Sequence, residues 1–327
     1  MNAPANAAQP APERSPADAF AAAVRDFLTR QPRQLPSRFL YDPLGSALFD
    51  AICRLPWYGL TAAELRLLRE HGAAIIARVG PLARIVELGS GNGEKAAALI
   101  GGRLSATPLD LHLIDISPAA LTTATQAVTG VDRLRVFTHE GNYDVDLARL
   151  ATQFQGPGRT LMLFLGSNIG NYDPPAAGAL LRSIRQSLRS GDGFLLGADL
   201  VRSERELQLA YDDPLGVTAA FNRNLLVHIN RELDGDFDLA GFRHRAVWNT
   251  EQSRVEMHLV SLRPQRVRVA RAGVEIAFVE GEHIWTESSY KYRADEVAAR
   301  LASAGFEVRE QWIEPAAQFS LTLATVR

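Results

Sequence analysis

Three glycines in the stretch VELGSGNGEK form the pattern that most clearly suggests chemistry in this chain. Gly89, Gly91 and Gly93 follow an apolar run, and glycines at this spacing allow a tight turn whose backbone approaches a ligand closely. The helix predicted after the turn would offer unpaired N–H groups to that ligand. The pattern indicates a nucleotide-binding loop, although a plain strand-to-helix connection can also produce it.

The acidic residues around the turn narrow the choice of nucleotide. A dinucleotide fingerprint has its third glycine one position later, where this chain has Glu94. With Glu87 before the turn, the stretch resembles the first motif of class I S-adenosylmethionine-dependent methyltransferases. Asp115 ends the second predicted strand, where an acid can accept both ribose hydroxyls of an adenosyl group. Dinucleotide folds use the same acid, so a nicotinamide-dependent dehydrogenase and a non-catalytic binding protein remain alternatives.

A polar loop, FLGSNIGNYDP, follows the fourth predicted strand. It places Ser167, Asn168, Asn171 and Tyr172 at the carboxyl end of that strand, where ligands bind in open α/β sheets. A purely structural loop needs less hydrogen-bonding chemistry than this one carries. We expect a polar ligand to bind there.

Composition excludes several classes of partner. The 327 residues carry a formal charge of −2, with 46% hydrophobic and 22% charged residues, which gives no field to gather nucleic acid or anionic lipid. Neither a secretion signal nor an apolar run long enough to span a bilayer is present, so we expect a cytoplasmic protein. The single cysteine, Cys53, fits a reducing compartment. The seven histidines lack metal-site spacing, so we expect no metal.

The elements that must position these residues alternate between strand and helix from about residue 60 to 200. ARIVELG, LHLIDIS, LRVFTHE, TLMLFLG and GFLLGADL read as five buried strands, with helical segments between them. This order predicts a mostly parallel sheet covered by helices. The closing segment reads as a helix ended by Gly305 and two strands joined by a turn at Pro315. An antiparallel hairpin at the sheet edge is unlike a dinucleotide dehydrogenase.

The segment between the fifth strand and the closing helix is too long for a simple connection and predicts a lobe of its own. It begins helically and then alternates with strand period in SRVEMHLVSL, QRVRVA and VEIAFVEGEHIWTESS. We predict an α/β protein: a Rossmann-like class I methyltransferase sheet with an antiparallel C-terminal hairpin, plus a second α+β substrate-binding lobe. The predicted parts are a disordered tail (1–17), a substrate lobe (18–59 and 201–290) and an S-adenosylmethionine-binding domain (60–200 and 291–327).

Several long stretches resemble one family, the bacterial L-histidine Nα-methyltransferases of ergothioneine biosynthesis. They are YDPLGSALFDAICRLPWY, VELGSGNGEK, FLGSNIGN, YDDPLGVTAAFNRN, FDLAGFRHRAVWN, RVEMHL and TESSYKY. The resemblance runs from about residue 20 to the end, and its motifs are spread over both predicted lobes. It implies trimethylation of L-histidine to its betaine, hercynine, with S-adenosylmethionine as methyl donor.

The resemblance also implies a set of site residues. Those that contact S-adenosylmethionine are Gly89, Lys95 and Asp115, with Asn142 and Tyr143 near the adenine, where the family commonly has Asp and Phe. Those that hold the α-carboxylate of histidine are Asn171 and Tyr211. Those that bind the imidazole ring are Tyr58, Glu287 and Ser289, with Met257 lining the ring pocket. Tyr41 matches a tyrosine close to the reacting amine.

One stretch departs from the family. After Tyr58 the chain reads Gly59-Leu60-Thr61-Ala62, where relatives often have an aromatic, a proline and a basic residue. This departure puts turnover or substrate breadth in question, and a methyltransferase for another small amine is the alternative within the class. Glu287 and Met257 argue against tryptophan, because a purely aromatic ring has no use for the carboxylate. We expect a monomer that acts on a small molecule.

Overall fold

The computed structural model describes residues 15–327, apart from 102–106, 144–146, 148, 150 and 153–155. Most of the predicted tail therefore lies outside the described residues. Its last three residues belong to an ordered start, because Ser15 accepts a hydrogen bond from the Asp18 N–H and caps a helix that begins at Pro16. The helices are α1 (Pro16–Leu28), α2 (Pro43–Ile52), α3 (Leu60–Val79), α4 (Glu94–Gly101), α5 (Pro118–Ala127), α6 (Pro174–Ser187), α7 (Glu204–Tyr211), α8 (Val217–Leu233) and α9 (Ala294–Ser303).

A seven-stranded sheet forms the larger part of the fold. Its strands are β2 (Leu82–Leu88), β3 (Leu109–Asp115), β4 (Leu134–Glu140), β5 (Arg159–Phe164), β6 (Gly193–Asp199), β12 (Phe306–Glu314) and β13 (Phe319–Val326). They lie in the order β12-β13-β6-β5-β2-β3-β4. Strands β2 to β6 run parallel to one another, whereas β13 pairs antiparallel with both β6 and β12. The predicted parallel sheet and the C-terminal hairpin are thus confirmed.

The remaining strands form two smaller sheets. β1 (Arg33–Gln34), β11 (His283–Tyr290), β8 (Arg254–Ser261) and β7 (Phe242–Asn249) make a four-stranded sheet in that order, and β9 (Gln265–Val269) pairs with β10 (Val274–Phe278). Two helices, α7 and α8, precede β7 to β11 in the chain, as the sequence predicts. β7 and the short β1 were not predicted, and the predicted strand from 274 to 289 divides into β10 and β11.

Local sequence explains where the helices begin. Asp42, Ser117, Asp173 and Ser203 each accept a hydrogen bond from a backbone N–H in the first turn of the helix that follows. A proline comes directly after three of these caps, where its missing N–H costs nothing. Ser117 and Ser203 thereby fix the starts of α5 and α7 shortly after β3 and β6 end.

Two hydrophobic clusters cover the two faces of the large sheet. Ile85 and Leu111 point into the first cluster, whereas the neighbouring Val86 points into the second. This alternation is the pleat of a strand buried on both faces. The first cluster also takes in α1, α8 and the four-stranded sheet, through residues such as Phe20, Leu225 and Leu259. One continuous core therefore joins the parts that the sequence predicts as two lobes.

Candidate active site

The glycine turn joins β2 to α4 in a conformation that requires glycine. Gly89, Gly91 and Gly93 have φ angles of +72°, +51° and +76°, a region that side chains disfavour. A Cβ on Gly93 would lie 2.6 Å from the Cα of Ala124, so this glycine lets α4 approach α5. A Cβ on Gly91 would meet nothing within 4 Å. Gly91 thus faces open space at the point where a ligand is expected.

Asp115, at the end of β3, is tied to the same turn. Its carboxylate accepts hydrogen bonds from the Gly91 N–H at 3.0 Å and the Ser117 N–H at 3.0 Å. A carboxylate offers about four lone-pair sites. Two of them therefore remain for a ligand, which is the number that a ribose diol needs.

A large, open cavity lies over this turn. Four of the five residues assigned to the cofactor line it: Gly89, Asp115, Asn142 and Tyr143. Ile116, an exposed hydrophobic residue next to Asp115, adds an apolar wall that the sequence did not single out. The open backbone at Gly91 and the spare acceptors of Asp115 fit an adenosyl group.

Lys95 is the fifth residue assigned to the cofactor, and the structure places it elsewhere. Its Nζ lies 2.9 Å from the buried carboxylate of Glu64, which also accepts the Gly166 N–H through both oxygens. A Cβ on Gly166 would lie 2.6 Å from the Lys95 Nζ. Lys95 therefore packs behind the polar loop and is not among the residues lining the large cavity.

A second, smaller cavity lies between the polar loop, α2, α7, α8 and β11. All seven residues assigned to the substrate or to catalysis line it: Tyr41, Tyr58, Asn171, Tyr211, Met257, Glu287 and Ser289. Leu60, from the segment that departs from the family, also lines it. Residues spread over some 250 positions of sequence thus meet in one chamber, and the departing segment touches it.

The two cavities meet at four residues, Tyr41, Phe49, Asn168 and Asn171, which line both. Phe49 was not predicted from the sequence, because a phenylalanine on a helix reads as an ordinary core residue. Its ring lies 5.4 Å from that of Tyr41 and 5.8 Å from that of Phe221, measured between centroids. Group transfer between a ligand in each cavity must take place at this junction.

Burial raises the pKa values of three titratable side chains that line the small cavity, Tyr41, Tyr58 and Glu287. Burial raises the pKa of Glu287 to about 7, although the positive charge of Lys291 opposes the shift. Burial, and then the charge of Glu287, raise the pKa of Tyr41 well above its ordinary value. Tyr41 is therefore a neutral phenol at physiological pH, suited to hydrogen bonding rather than to removing a proton.

Lys291 is a further residue of the site that the sequence analysis did not identify. Its Nζ lies 2.7 Å from the Tyr211 hydroxyl and 2.8 Å from the Ser289 hydroxyl, and these two hydroxyls are 2.8 Å apart. The motif TESSYKY contains both Ser289 and Lys291, but Tyr211 comes from α7. Only the folded chain brings them together.

Beneath the glycine turn lies a second buried acid, Glu87 on β2. Burial raises the pKa of Glu87 to about 8, although Lys95 opposes the shift. Its Oε2 has no hydrogen-bond partner within the described part of the chain. Glu87 therefore carries a proton over much of the neutral range.

Two searches of the described residues bear on other classes of function. No described helix has both the length and the apolar character needed to cross a membrane. Within the same residues, no group of three or more His, Cys, Asp or Glu side chains is arranged to hold a metal ion.

Comparison with known proteins identifies the family. Residues 20–326 match the model of the histidine-specific, S-adenosylmethionine-dependent methyltransferases. A histidine N-alpha-methyltransferase of Mycolicibacterium smegmatis is 41% identical over 95% of this chain and 96% of its own length. One of Mycobacterium tuberculosis is 40% identical over 91% and 92%. Ergothioneine biosynthesis protein 1 of Neurospora crassa is 26% identical over 86% of this chain and 32% of its own length. The chain therefore belongs to the family of histidine-specific, S-adenosylmethionine-dependent methyltransferases.

Proposed function

We propose that this protein methylates the α-nitrogen of L-histidine up to three times and forms the betaine hercynine for ergothioneine biosynthesis. The observation that carries the proposal is the pair of joined cavities. One contains the glycine turn and Asp115, and the other contains every residue assigned to the amino acid. The 41% identical mycobacterial relative supports histidine as the substrate.

The large cavity is the proposed site of S-adenosylmethionine, which supplies an electrophilic methyl group on a positively charged sulfur. Asp115 would accept the ribose hydroxyls, Gly89 would allow close backbone approach, and Asn142 and Tyr143 would flank the adenine. For Lys95 we propose an indirect role, because its ammonium supports the polar loop through Glu64.

In the small cavity, the proposed roles follow the chemistry of each side chain. Asn171 and Tyr211 would hold the α-carboxylate of histidine, and Glu287 would accept a ring N–H. Met257 and Tyr58 would pack against the ring, with 1% and 7% of their surfaces exposed. A ring without nitrogen would leave the buried carboxylate without a hydrogen-bond partner, which costs about 1–3 kcal/mol of binding free energy per buried group. The pocket should therefore prefer histidine sharply.

The transfer itself needs the amine in its neutral form, because an ammonium has no lone pair to attack carbon. A model α-amino pKa near 8 leaves about a tenth of the amine neutral at pH 7. The enzyme can select that fraction, and Tyr41 at the cavity junction is the proposed group that orients it. Positioning would then supply most of the acceleration. Each later round requires the nitrogen to turn a fresh lone pair toward the donor.

Mass spectrometry of histidine incubated with enzyme and S-adenosylmethionine tests the whole proposal. We expect three successive mass increases, each of one methylene, with all the label of a labelled methyl group on the α-nitrogen. The same incubation with each of the other standard amino acids serves as the control. Faster methylation of any of these would overturn the assignment of histidine.

The predicted division into domains, the oligomeric state and the location are proposals as well. We place the substrate lobe at 18–59 and 201–290 and the donor domain at 60–200 and 291–327. Limited proteolysis with and without S-adenosylhomocysteine tests these boundaries. Sedimentation at micromolar concentration tests the monomer. The single cysteine supports a reducing location such as the cytoplasm.

A further inference from the structure

The polar loop that meets both cavities is held near its start by a buried acid, Glu64. This residue lies on α3 with no exposed surface, and its two carboxylate oxygens accept a shared hydrogen bond from the Gly166 N–H, at 3.0 and 2.9 Å. A Cβ on Gly197 would overlap the Glu64 Oε1, so β6 leaves room for the carboxylate. Glu64 is therefore built into the fold at a fixed distance from the loop.

The backbone of the loop needs support from outside. Ser167 has a φ of +57°, in the left-handed region that residues with a side chain disfavour. Such a conformation persists only where neighbouring contacts hold it. The Ser167 Oγ accepts the Asp199 N–H at 2.9 Å, and the Tyr292 hydroxyl donates to the Ile169 carbonyl at 3.1 Å. Glu64 holds the residue directly before Ser167, where the chain enters this conformation.

Two asparagines of the loop depend on how it is held. Asn168 and Asn171 are among the four residues that line both cavities. A Cβ on Gly89 would lie 3.1 Å from the Asn168 Nδ2, so Asn168 also packs against the glycine turn. Asn171 is the residue assigned to the α-carboxylate of the substrate. A shift of the loop would therefore move the amino acid relative to the methyl donor.

The helix that carries Glu64 also contributes to the small cavity. Leu60 is the first residue of α3 and lines that cavity. Glu64 follows four positions later, which places both side chains on the same face of the helix. The cavity wall and the loop anchor thus belong to one rigid element.

The charge of Glu64 is a separate property from its reach. Its Oε2 lies 2.9 Å from the Lys95 Nζ. Burial lowers the pKa of Lys95, but the charge of Glu64 raises it above its ordinary value. Burial raises the pKa of nearby Glu87 to about 8, Lys95 opposes this shift and Glu64 adds to it. If Glu64 lost its charge, the pKa of Glu87 would fall, and Glu87 could supply the negative charge that balances Lys95.

We propose that Glu64 is a positioning residue for methyl transfer, because the reach of its carboxylate to the Gly166 N–H sets the place of the two asparagines at the cavity junction. This inference rests on the proposed function. It adds a residue that is not among those lining either cavity and so acts through the loop. It also states that the length of this side chain matters more than its charge.

Two conservative variants separate length from charge. Glu64→Asp keeps the negative charge, which the flexible side chain of Lys95 can follow, but its side chain is one methylene too short for the Gly166 N–H. Glu64→Gln keeps the length and an oxygen that can accept this N–H, but it has no charge. A residue that only balances Lys95 would be damaged more by Gln, whereas a residue that holds the loop would be damaged more by Asp.

We expect Glu64→Asp to lower kcat/KM for histidine by at least about tenfold, because small displacements of reacting groups are costly. The loss should appear both as a lower kcat and as a higher KM for histidine, with a nearly unchanged Kd for S-adenosylhomocysteine. Glu64→Gln should stay within about threefold of wild type, since a neutral acceptor makes a weaker hydrogen bond but in the same place. Glu70→Gln, exposed on the same helix, is the matched control and should keep wild-type values.

Hydrogen–deuterium exchange of a peptide spanning 161–172 reports the loop without reference to activity. Exchange should be faster than wild type in Glu64→Asp and close to wild type in Glu64→Gln. Ile75→Ala controls for lost stability, because Ile75 is buried in α3 three turns away from Glu64. This control should lower Tm but leave kcat and KM, measured well below Tm, unchanged.

Wild-type kinetics in Glu64→Asp, or a larger loss in Glu64→Gln than in Glu64→Asp, would overturn the inference and leave the proposed function intact. If Glu64→Asp does not fold, exchange in Glu64→Gln decides: wild-type protection of the loop supports the inference, and lost protection overturns it. Absence of histidine methylation by the wild-type enzyme would instead overturn the proposed function, and the inference with it.

Discussion

Glu287 is the residue whose type is most informative about the substrate, because a buried carboxylate needs a donor to meet it. We predict that Glu287→Ala lowers kcat/KM for histidine at least tenfold, about 1.4 kcal/mol, with the affinity for S-adenosylhomocysteine close to wild type. Ser288→Ala is the matched control on the same strand. Steady-state kinetics and calorimetry measure the two quantities, and an unchanged kcat/KM would refute the role of Glu287 in recognising the ring.

Tyr41 should act through its hydroxyl as a neutral group. In Tyr41→Phe the ring contacts with Phe49 and Phe221 are kept, and one neutral hydrogen bond, worth about 1 kcal/mol, is lost. We predict that kcat falls roughly fivefold to tenfold, while KM for histidine changes little. Because the pKa of Tyr41 lies well above its ordinary value, the pH profile of kcat should show no limb that disappears in the variant. Such a limb would mean that Tyr41 removes a proton.

Sequence reasoning at this scale found most of the polar residues that line the two cavities, but it missed Phe49 at their junction and the buried Lys291 behind them. Most of the assigned residues stand in the motifs that resemble the family, and all but Lys95 line at least one of the two cavities. Lys291 and Asp199 lie 92 positions apart in the sequence, at the ends of β11 and β6, and no local sequence pattern predicts their contact. Phe49 was missed for another reason. An aromatic residue at a cavity junction has the same helical sequence periodicity as an aromatic residue in a hydrophobic core.

At the scale of elements, the glycine turn offers two substitutions that should differ in their effects on helix packing and on ligand binding. Gly91→Ala and Gly93→Ala share the strain of a positive φ, about 1–2 kcal/mol. Only Gly93→Ala also places a Cβ within 3 Å of the α5 backbone. We predict that Gly93→Ala lowers Tm clearly more, whereas Gly91→Ala mainly weakens S-adenosylhomocysteine binding because its Cβ enters the large cavity. Differential scanning calorimetry and titration of both variants measure this, and equal Tm losses would contradict it.

Strands of the large sheet were predictable because their apolar runs are continuous and bounded by turn residues. β7 was missed for a physical reason. Its inward positions are Phe242, His244 and Ala246, so a buried histidine interrupts the apolar alternation. His244 is satisfied there by Asn222 and by the Tyr211 carbonyl. Such tertiary hydrogen bonds make a polar residue acceptable in a core, and the sequence of one strand does not reveal them.

For the whole molecule, Glu87 links stability to pH. Because its pKa is raised to about 8, its contribution to stability is full below about pH 4.5 and is lost as the pH rises through about 8. Glutamine has no charge to bury. As the pH rises from 5 to 8.5, the free energy of unfolding of Glu87→Gln should therefore increase relative to that of wild type, by on the order of a few kcal/mol. Tm measured at both pH values tests this. The exposed Glu280→Gln is the control, and a parallel response of Glu87→Gln and wild type would contradict the prediction.

The hydrophobic cluster that runs from Phe20 in α1 to Leu323 in β13 has a consequence for how relatives could diverge. A recombinant that joins the first 200 residues of one relative to the remainder of another must fit two halves of a single close-packed interior. Most such chimeras should be unstable. A new amino-acid preference is therefore more easily acquired by point substitutions around the small chamber, at positions such as Leu60 or Met257, than by exchange of a segment.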